Sequence, residues 1–143
     1  MAAAAAAAAR GGSLSFKAFV VEDQPGIRAG LIDALSEISG VTTVGWAANE
    51  RDALAWLREP ANAWDIAIVD LVLEPGGGSG YGVLKALDQR GPTRKVVVLT
   101  ATAEPAVRRQ CESLGADGVF DKAMETDAML DYCSKLARAA GGH

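Results

Sequence analysis

Short runs of β-branched and other apolar residues alternate along this chain with longer stretches in which apolar residues recur every three or four positions. The short runs are typical of strands and the longer stretches of amphipathic helices. After residue 15 the pair of patterns is repeated five times. The predicted strands are Phe16–Val21, Val41–Ala47, Ile66–Leu73, Lys95–Leu99 and Gly118–Phe120. Strands that alternate with helices predict an α/β fold of βαβ units around a parallel sheet.

Residues that start and stop helices bound the longer stretches. Asn49 is the predicted N-cap of the second helix, and Gly40 and Gly115 are predicted to end the first and the fourth. The apolar residues expected to face the core are Ile27, Leu31, Leu35 and Ile38 in the first helix, Ala53, Leu54 and Leu57 in the second, Val83, Leu84 and Leu87 in the third, Val107, Cys111 and Leu114 in the fourth, and Met129, Tyr132, Cys133 and Leu136 in the fifth. The strand Ile66–Leu73 is almost entirely apolar, which predicts a central position covered on both faces.

The composition is that of one globular domain. Of 143 residues, 50% are hydrophobic and 22% are charged, which is enough apolar surface for one core but leaves no room for a second domain. We expect the domain to span residues 16–138. Residues 1–15 are an Ala- and Gly-rich segment, natural or appended, that we expect to be a disordered tail, and residues 139–143 are expected to be a flexible C-terminus.

Charge and cysteine content exclude several function classes. The net charge is −4 and no basic stripe is present, which excludes direct nucleic-acid binding. Apart from the alanine run, no apolar segment approaches the length that spans a bilayer, so no membrane association is expected. Cys111 and Cys133 occupy apolar positions of helices, which predicts buried free thiols in a reducing compartment. We therefore expect a cytoplasmic protein.

Polar residues follow four of the five predicted strands. Glu22 and Asp23 follow the first, Asp70 lies in the third, Thr100 ends the fourth, and Lys122 follows the fifth. In parallel α/β sheets the ligand site lies beyond the carboxyl ends of the strands. The five side chains are therefore expected at one edge of the sheet. Asp70 interrupts an apolar run, where a carboxylate without a partner would be costly.

Three clustered carboxylates repel one another unless a cation lies among them. A site made only of hard oxygen ligands favours Mg²⁺, which binds through one or two carboxylates and keeps several waters. A metal with open positions can also hold a phosphoryl group, and carboxylates form aspartyl-phosphate intermediates. We therefore predict that Asp70 is the nucleophile, that Lys122 pairs with a phosphoryl oxygen, and that Thr100 donates a hydrogen bond to another.

The residues around these positions resemble the response-regulator receiver family. The segments that carry the resemblance are Val20–Pro25, Ile68–Leu71, Val97–Ala101 and Gly115–Lys122, and it covers about Phe16 to Arg138. It implies a flavodoxin-like, doubly wound (βα)5 fold with strand order 2-1-3-4-5.

The resemblance also implies roles for the site residues and for the protein. Phosphorylation would occur on Asp70, and the metal ligands would be Asp23, Asp70 and the backbone carbonyl of Val72, with Glu22 acting through metal-bound water. The chain would be a stand-alone signalling module, similar to the chemotaxis regulators, and not an enzyme. A histidine kinase or histidine phosphotransfer protein would donate the phosphoryl group. The signal would pass to a downstream protein through the fourth helix, fifth strand and fifth helix of a monomer or weak homodimer.

Three features depart from the family pattern. Ala123 follows Lys122 where the family usually has proline. The loop after the third strand contains the glycine-rich segment Glu74–Gly80. Val119 replaces the aromatic switch residue, and Phe120, one position later, is expected to face the other side of the strand.

Two other functions use similar residues. An aspartyl-phosphate phosphatase also has a carboxylate nucleophile and Mg²⁺, but it normally needs a second acid where this chain has Val72. A receiver that can no longer be phosphorylated would lack part of the pocket, whereas all the pocket residues are present here.

The glycine-rich segment Gly76–Gly80 lacks the lysine of a nucleotide-binding loop, and we interpret it as a flexible connection.

Overall fold

A computed structural model describes residues 15–141 of the chain. The predicted N-terminal tail, apart from residue 15, lies outside the described residues, as do residues 142 and 143. Strands and helices alternate throughout the described part. In chain order they are β1 (Lys17–Val21), α1 (Pro25–Ser39), β2 (Thr42–Ala47), α2 (Glu50–Leu57), β3 (Ile66–Val69), α3 (Gly80–Ala86), β4 (Lys95–Thr100), α4 (Pro105–Ser113), β5 (Gly118–Asp121) and α5 (Thr126–Ala140).

The strands form one parallel sheet in the order β2-β1-β3-β4-β5. This order confirms the predicted doubly wound, flavodoxin-like fold. All four residues of β3 are buried, and the strand pairs with β1 on one side and β4 on the other, which confirms its central position. β3 is shorter than the predicted strand Ile66–Leu73, because the chain turns after Asp70 and Val72 forms an isolated antiparallel bridge with Ser79.

Two hydrophobic clusters lie on opposite faces of the sheet. Successive residues of β1 point to opposite faces, so Phe19 belongs to one cluster and Val20 to the other. The first cluster joins the sheet to α2, α3 and α4 through residues such as Leu57, Val83 and Cys111. The second joins it to α1 and α5 through residues such as Leu35, Met129 and Cys133. Both cysteines are free and buried, as predicted, and burial raises the pKa of Cys133 to about 12.

Only two of the four apolar residues of α1 that were predicted to face the core are buried. Leu31 and Leu35 are buried, but Ile27 is 46% exposed and Ile38 is 63% exposed. The buried face of α1 runs through Leu31, Leu35 and Ser39, and the Ser39 hydroxyl donates to the Leu130 carbonyl of α5 over 2.7 Å. Ile38 lies beside this face and not on it.

Two helix boundaries are those predicted from the sequence. Gly40 ends α1 in the left-handed conformation with φ of 66°. The side chain of Asn49 caps α2 by accepting a hydrogen bond of 2.8 Å from the backbone N–H of Asp52. Within residues 15–141, no helix combines the length and the apolar character needed to cross a membrane.

Candidate functional site

The carboxyl ends of four strands meet at one edge of the sheet and bring the predicted acidic residues together. Glu22 and Asp23 directly follow β1, and Asp70 directly follows β3. Carboxylate oxygens of the three residues all lie within 4.8 Å of one another. Glu22 and Asp70 are buried, with 2% and 7% of their surface exposed, whereas Asp23 is half-buried. The site is therefore a small acidic pocket with one side open to solvent.

Lys122 follows β5 and reaches into this pocket. Its ammonium nitrogen lies 2.7 Å from Oδ2 of Asp70 and 2.7 Å from Oε1 of Glu22. Burial raises the pKa of Glu22, although hydrogen bonds from Lys122 and from the backbone N–H of Gln24 oppose the shift. Burial acts to lower the pKa of Lys122, but its hydrogen bonds to Asp70 and Glu22 outweigh this effect, so that pKa is raised. Lys122 is thus held in its charged form.

Backbone donors complete the hydrogen bonding of the two buried carboxylates. Oδ1 of Asp70 accepts a hydrogen bond of 3.3 Å from the N–H of Val72, and Oε2 of Glu22 accepts one of 3.1 Å from the N–H of Gln24. Together with Lys122, these bonds give each of the four oxygens at least one donor. Because all their oxygens accept hydrogen bonds, the two carboxylates can be buried at the ends of apolar strands.

Thr100 ends β4 beside the pocket and is completely buried. Its hydroxyl lies 3.2 Å from the hydroxyl of Thr102, and the N–H of Thr102 donates to it over 3.4 Å. Among residues 15–141, the hydrogen bonds of this hydroxyl are with Thr102 and not with the carboxylates. The main chain connects Thr100 to the lysine, because the N–H of Lys122 donates to the Thr100 carbonyl over 2.9 Å.

The loop after β3 is anchored and is not the free connection that its glycines suggested. The N–H of Glu50 donates to the carbonyl of Gly77 over 2.8 Å, and Oε1 of Glu50 accepts a bond of 3.0 Å from the N–H of Ser79. A Cβ atom on Gly80 would collide with the carbonyl oxygen of Asp70. Glycine at this position therefore allows the loop to pack directly against the end of β3. The loop also carries Val72, which is 63% exposed and whose carbonyl stays a predicted metal ligand beside Asp23 and Asp70.

Two residues beside the pocket were missed by the sequence analysis. Arg28 donates a hydrogen bond of 3.0 Å to the carbonyl of Glu22, and its guanidinium lies 3.6 Å from the ring centroid of Trp46. Asp121 accepts hydrogen bonds from the N–H groups of the two residues after Lys122, over 2.8 and 3.1 Å. These bonds shape the turn after Lys122, where Ala123 stands in place of the proline that is usual in the family. No peptide bond of residues 15–141 is cis. Aspartate often accepts hydrogen bonds from the backbone N–H groups that follow it in a turn, and this preference could have predicted the role of Asp121.

Comparisons with known proteins agree with the fold. Residues 18–134 match the family described as the response regulator receiver domain. The chain is 31% identical to the response regulator UvrY of Escherichia coli over 103 residues, which are 72% of this chain and 45% of UvrY. The solved receiver domain of the Francisella response regulator 1452 is 20% identical, with a TM-score of 0.74 over 87% of this chain and 98% of its own. A Burkholderia pseudomallei response regulator, solved with a phosphorylated aspartic acid, a calcium ion and citrate, is 25% identical, with a TM-score of 0.71 over 87% of this chain and 70% of its own.

The family match covers most of the chain, and the chain therefore belongs to the response regulator receiver family. It is the receiver domain of a two-component response regulator, which is a signalling domain and not a conventional enzyme. The chain spans about half the length of the curated relatives that it matches.

Proposed function

We propose that this receiver domain accepts a phosphoryl group on Asp70 in a reaction that depends on Mg²⁺. The observation that carries the proposal is the position of Asp70, which lies among two other carboxylates and 2.7 Å from the Lys122 ammonium. The Burkholderia relative with a phosphorylated aspartic acid and a calcium ion supports both parts of the proposal.

The charges of the pocket fit a divalent cation. Glu22, Asp23 and Asp70 together carry two more negative charges than the Lys122 ammonium balances. A divalent ion would remove that excess, and three carboxylates within 4.8 Å supply the hard oxygen ligands that Mg²⁺ prefers. Asp23 and Asp70 would bind the ion directly with the Val72 carbonyl, and Glu22 would hold metal-bound water. When bound, Mg²⁺ would neutralise charge on the phosphoryl oxygens.

The protein residues have distinct parts in the proposed transfer. A carboxylate oxygen of Asp70 forms the new bond to phosphorus, and the bond between phosphorus and the donor atom breaks, with its electron pair leaving on the donor. Lys122, whose hydrogen bonds to Asp70 and Glu22 preserve its charge against burial, pairs with one oxygen of the transferred group. The Thr100 hydroxyl, whose partner in the structure is Thr102, donates to another oxygen.

Exposed apolar side chains around the pocket support a protein as the phosphoryl donor. Ile27, Val72 and Met124 are 46%, 63% and 83% exposed, and they closely follow the ends of β1, β3 and β5. The parallel sheet places these three strand ends at the edge that holds Asp70. Exposed apolar side chains gathered at one edge of a domain are typical of a docking surface. A histidine kinase or histidine phosphotransfer protein is the proposed donor, and the α4, β5 and α5 elements are the proposed surface for the downstream target.

The test is to treat the protein with acetyl phosphate and to measure its intact mass. We expect the mass of one phosphoryl group to be added in Mg²⁺ and not in excess chelator. Asp70→Asn should remove the addition, whereas Asp33→Asn, an exposed control on α1, should keep it. Continuous release of phosphate without accumulation would favour the phosphatase function. No addition at any donor concentration would favour a receiver that has lost phosphorylation.

A further inference from the structure

Arg108 on α4 joins three segments of the protein with a single guanidinium. Its Nε donates to the carbonyl of Ala103 over 2.9 Å, and its Nη1 donates to the carbonyl of Val119 over 2.8 Å. Its Nη2 lies 2.6 Å from Oε1 of Glu125. These partners belong to the loop between β4 and α4, to β5, and to the residue that precedes α5. One side chain therefore connects α4 to the loop after β4, to β5 and to the start of α5.

The Glu125 contact extends this connection to the end of β5. The same oxygen, Oε1, accepts a hydrogen bond of 2.9 Å from the N–H of Asp121, and the N–H of Glu125 donates to the Asp121 carbonyl over 2.8 Å. Asp121 directly precedes Lys122 in the chain. The carboxylate held by Arg108 is therefore one residue away, through Asp121, from the lysine of the acidic pocket.

The Ala103 contact leads to the pocket by a second route. Ala103 lies three residues after Thr100, and Thr102 between them is bonded to the Thr100 hydroxyl. The loop closes further through a bond of 2.8 Å from the N–H of Glu104 to the carbonyl of Thr102. A movement of Thr100 toward a phosphoryl group would thus move the carbonyl that Arg108 holds.

Position 119, where the family has its aromatic switch residue, is a valine in this chain. Val119 is buried and has only a small side chain, and Phe120 belongs to the other face of the sheet, where its ring lies 5.9 Å from that of Tyr132. The Val119 side chain packs in the cluster on the α4 side, and its backbone carbonyl accepts the hydrogen bond from Arg108.

We propose that Arg108 transmits the state of the phosphorylation pocket to the α4–β5–α5 surface, in the place of an aromatic switch. The inference rests on the proposed function, because it needs Thr100 to move when Asp70 is modified. When the loop that carries Ala103 shifts, the guanidinium cannot keep all three partners, so its contacts to Val119 and Glu125 change. Both sites then bias one element, as coupling between sites requires.

Arginine suits this position for a physical reason. Its planar guanidinium presents donors in several fixed directions, so it can bind two carbonyls and a carboxylate at once. A lysine at the same position would keep the charge but would bind from a single point. Lysine is therefore expected to preserve only part of the coupling, and glutamine almost none.

The test uses NMR amide spectra of the protein with Mg²⁺, before and after addition of beryllium fluoride as a stable mimic of the aspartyl phosphate. In the unaltered protein we expect shifts at Asp70 and Thr100 and also at Val119 and Glu125. In Arg108→Gln the shifts at Val119 and Glu125 should fall by about threefold or more, while those at Asp70 and Thr100 remain. Arg108→Lys should give intermediate values.

Arg109→Gln is the matched control, because Arg109 is the next residue on α4 and is exposed. It should give the spectra of the unaltered protein. Undiminished shifts at Val119 and Glu125 in both Arg108 variants would overturn the inference, and so would equal losses in Arg109→Gln. If Arg108→Gln does not fold, Arg108→Lys decides the same question. Absence of any shift at Asp70 in the unaltered protein would instead contradict the proposed function.

Discussion

The ammonium of Lys122 lies 2.7 Å from a carboxylate oxygen of Asp70, although the two residues are 52 positions apart in the chain. The same nitrogen is equally close to Glu22. One cation thus partners two buried anions that would otherwise face each other. This arrangement makes the stability of the domain depend on the lysine and makes the pocket receptive to a second cation.

Replacement of Lys122 by methionine should lower the free energy of unfolding at neutral pH. It leaves two buried carboxylates without their shared cation, which we expect to cost at least about 2 kcal/mol. Added Mg²⁺ should restore part of the loss. Urea denaturation with and without Mg²⁺ measures both effects. Lys135→Met, at an exposed ion pair with Asp131, should change stability by less than about 0.5 kcal/mol. Equal losses in the two variants would contradict this interpretation.

The two residues after β1 should contribute unequally to metal affinity. Asp23 is proposed as a direct ligand and Glu22 as a residue that holds metal-bound water, so Asp23→Ala should weaken Mg²⁺ binding more than Glu22→Ala. A loss of about tenfold or more is expected for Asp23→Ala. Isothermal titration with Mg²⁺ gives both affinities. If the two variants lose affinity equally, the assignment of the two roles is wrong.

Glu125 should stabilise the domain only above the pH range in which it is protonated. Hydrogen bonds from Arg108 and from the N–H of Asp121 lower its pKa from the usual value of 4.5. A carboxylate with a lowered pKa in the folded state contributes stability above its unfolded pKa, and that contribution is lost as the pH falls through the folded pKa. The advantage of the unaltered protein over Glu125→Gln should therefore be present at neutral pH and disappear on acidification.

Denaturation curves of both proteins from neutral to strongly acidic pH test this dependence. Glu112→Gln, an exposed position on α4, is the control and should show no comparable change. A difference between the unaltered protein and Glu125→Gln that stays constant over the whole range would be inconsistent with the Arg108 contact.

Gly80 and Gly30 should respond in opposite ways to replacement by alanine. A Cβ on Gly80 meets the Asp70 carbonyl, so Gly80→Ala should destabilise the protein by about 1–3 kcal/mol. Gly30 lies within α1, where the added carbon meets no atom within 4 Å apart from the adjacent residues and the backbone of the helix, so Gly30→Ala should stabilise the protein by about 0.5–1 kcal/mol. Thermal unfolding of both variants measures the two signs. A neutral effect of Gly80→Ala would contradict the close packing described for the loop.

Much of the fold could be predicted because its elements depend on local pattern. The apolar run of β3, the cap at Asn49 and the stop at Gly40 all follow from the character of neighbouring residues. The gathering of Glu22 and Asp70 also follows, since parallel strands end at a shared edge. The strand order itself came from the resemblance to the receiver family, because periodicity carries no information on which strands are neighbours.

Other features could not be predicted because they depend on positions fixed only in the folded protein. Arg28 and Arg108 donate hydrogen bonds to backbone carbonyls. Because every residue has a backbone carbonyl, no pattern in the sequence indicates which one each arginine binds. The exposure of Ile38 depends on which face of α1 packs against α5, where Ser39 and not Ile38 is buried. Glu50 anchors a loop 27 residues further along the chain at Gly77, which no local pattern indicates.

The most direct measurement is to locate the phosphoryl group in the treated protein. After incubation with acetyl phosphate and Mg²⁺, borohydride reduces an aspartyl phosphate to homoserine, which tandem mass spectrometry of the peptides identifies by position. We predict homoserine at position 70 and aspartate at positions 23, 33 and 121. Homoserine at another position, or unchanged aspartate at position 70 in protein whose intact mass shows one added phosphoryl group, would contradict the assignment of Asp70 as the phosphoacceptor.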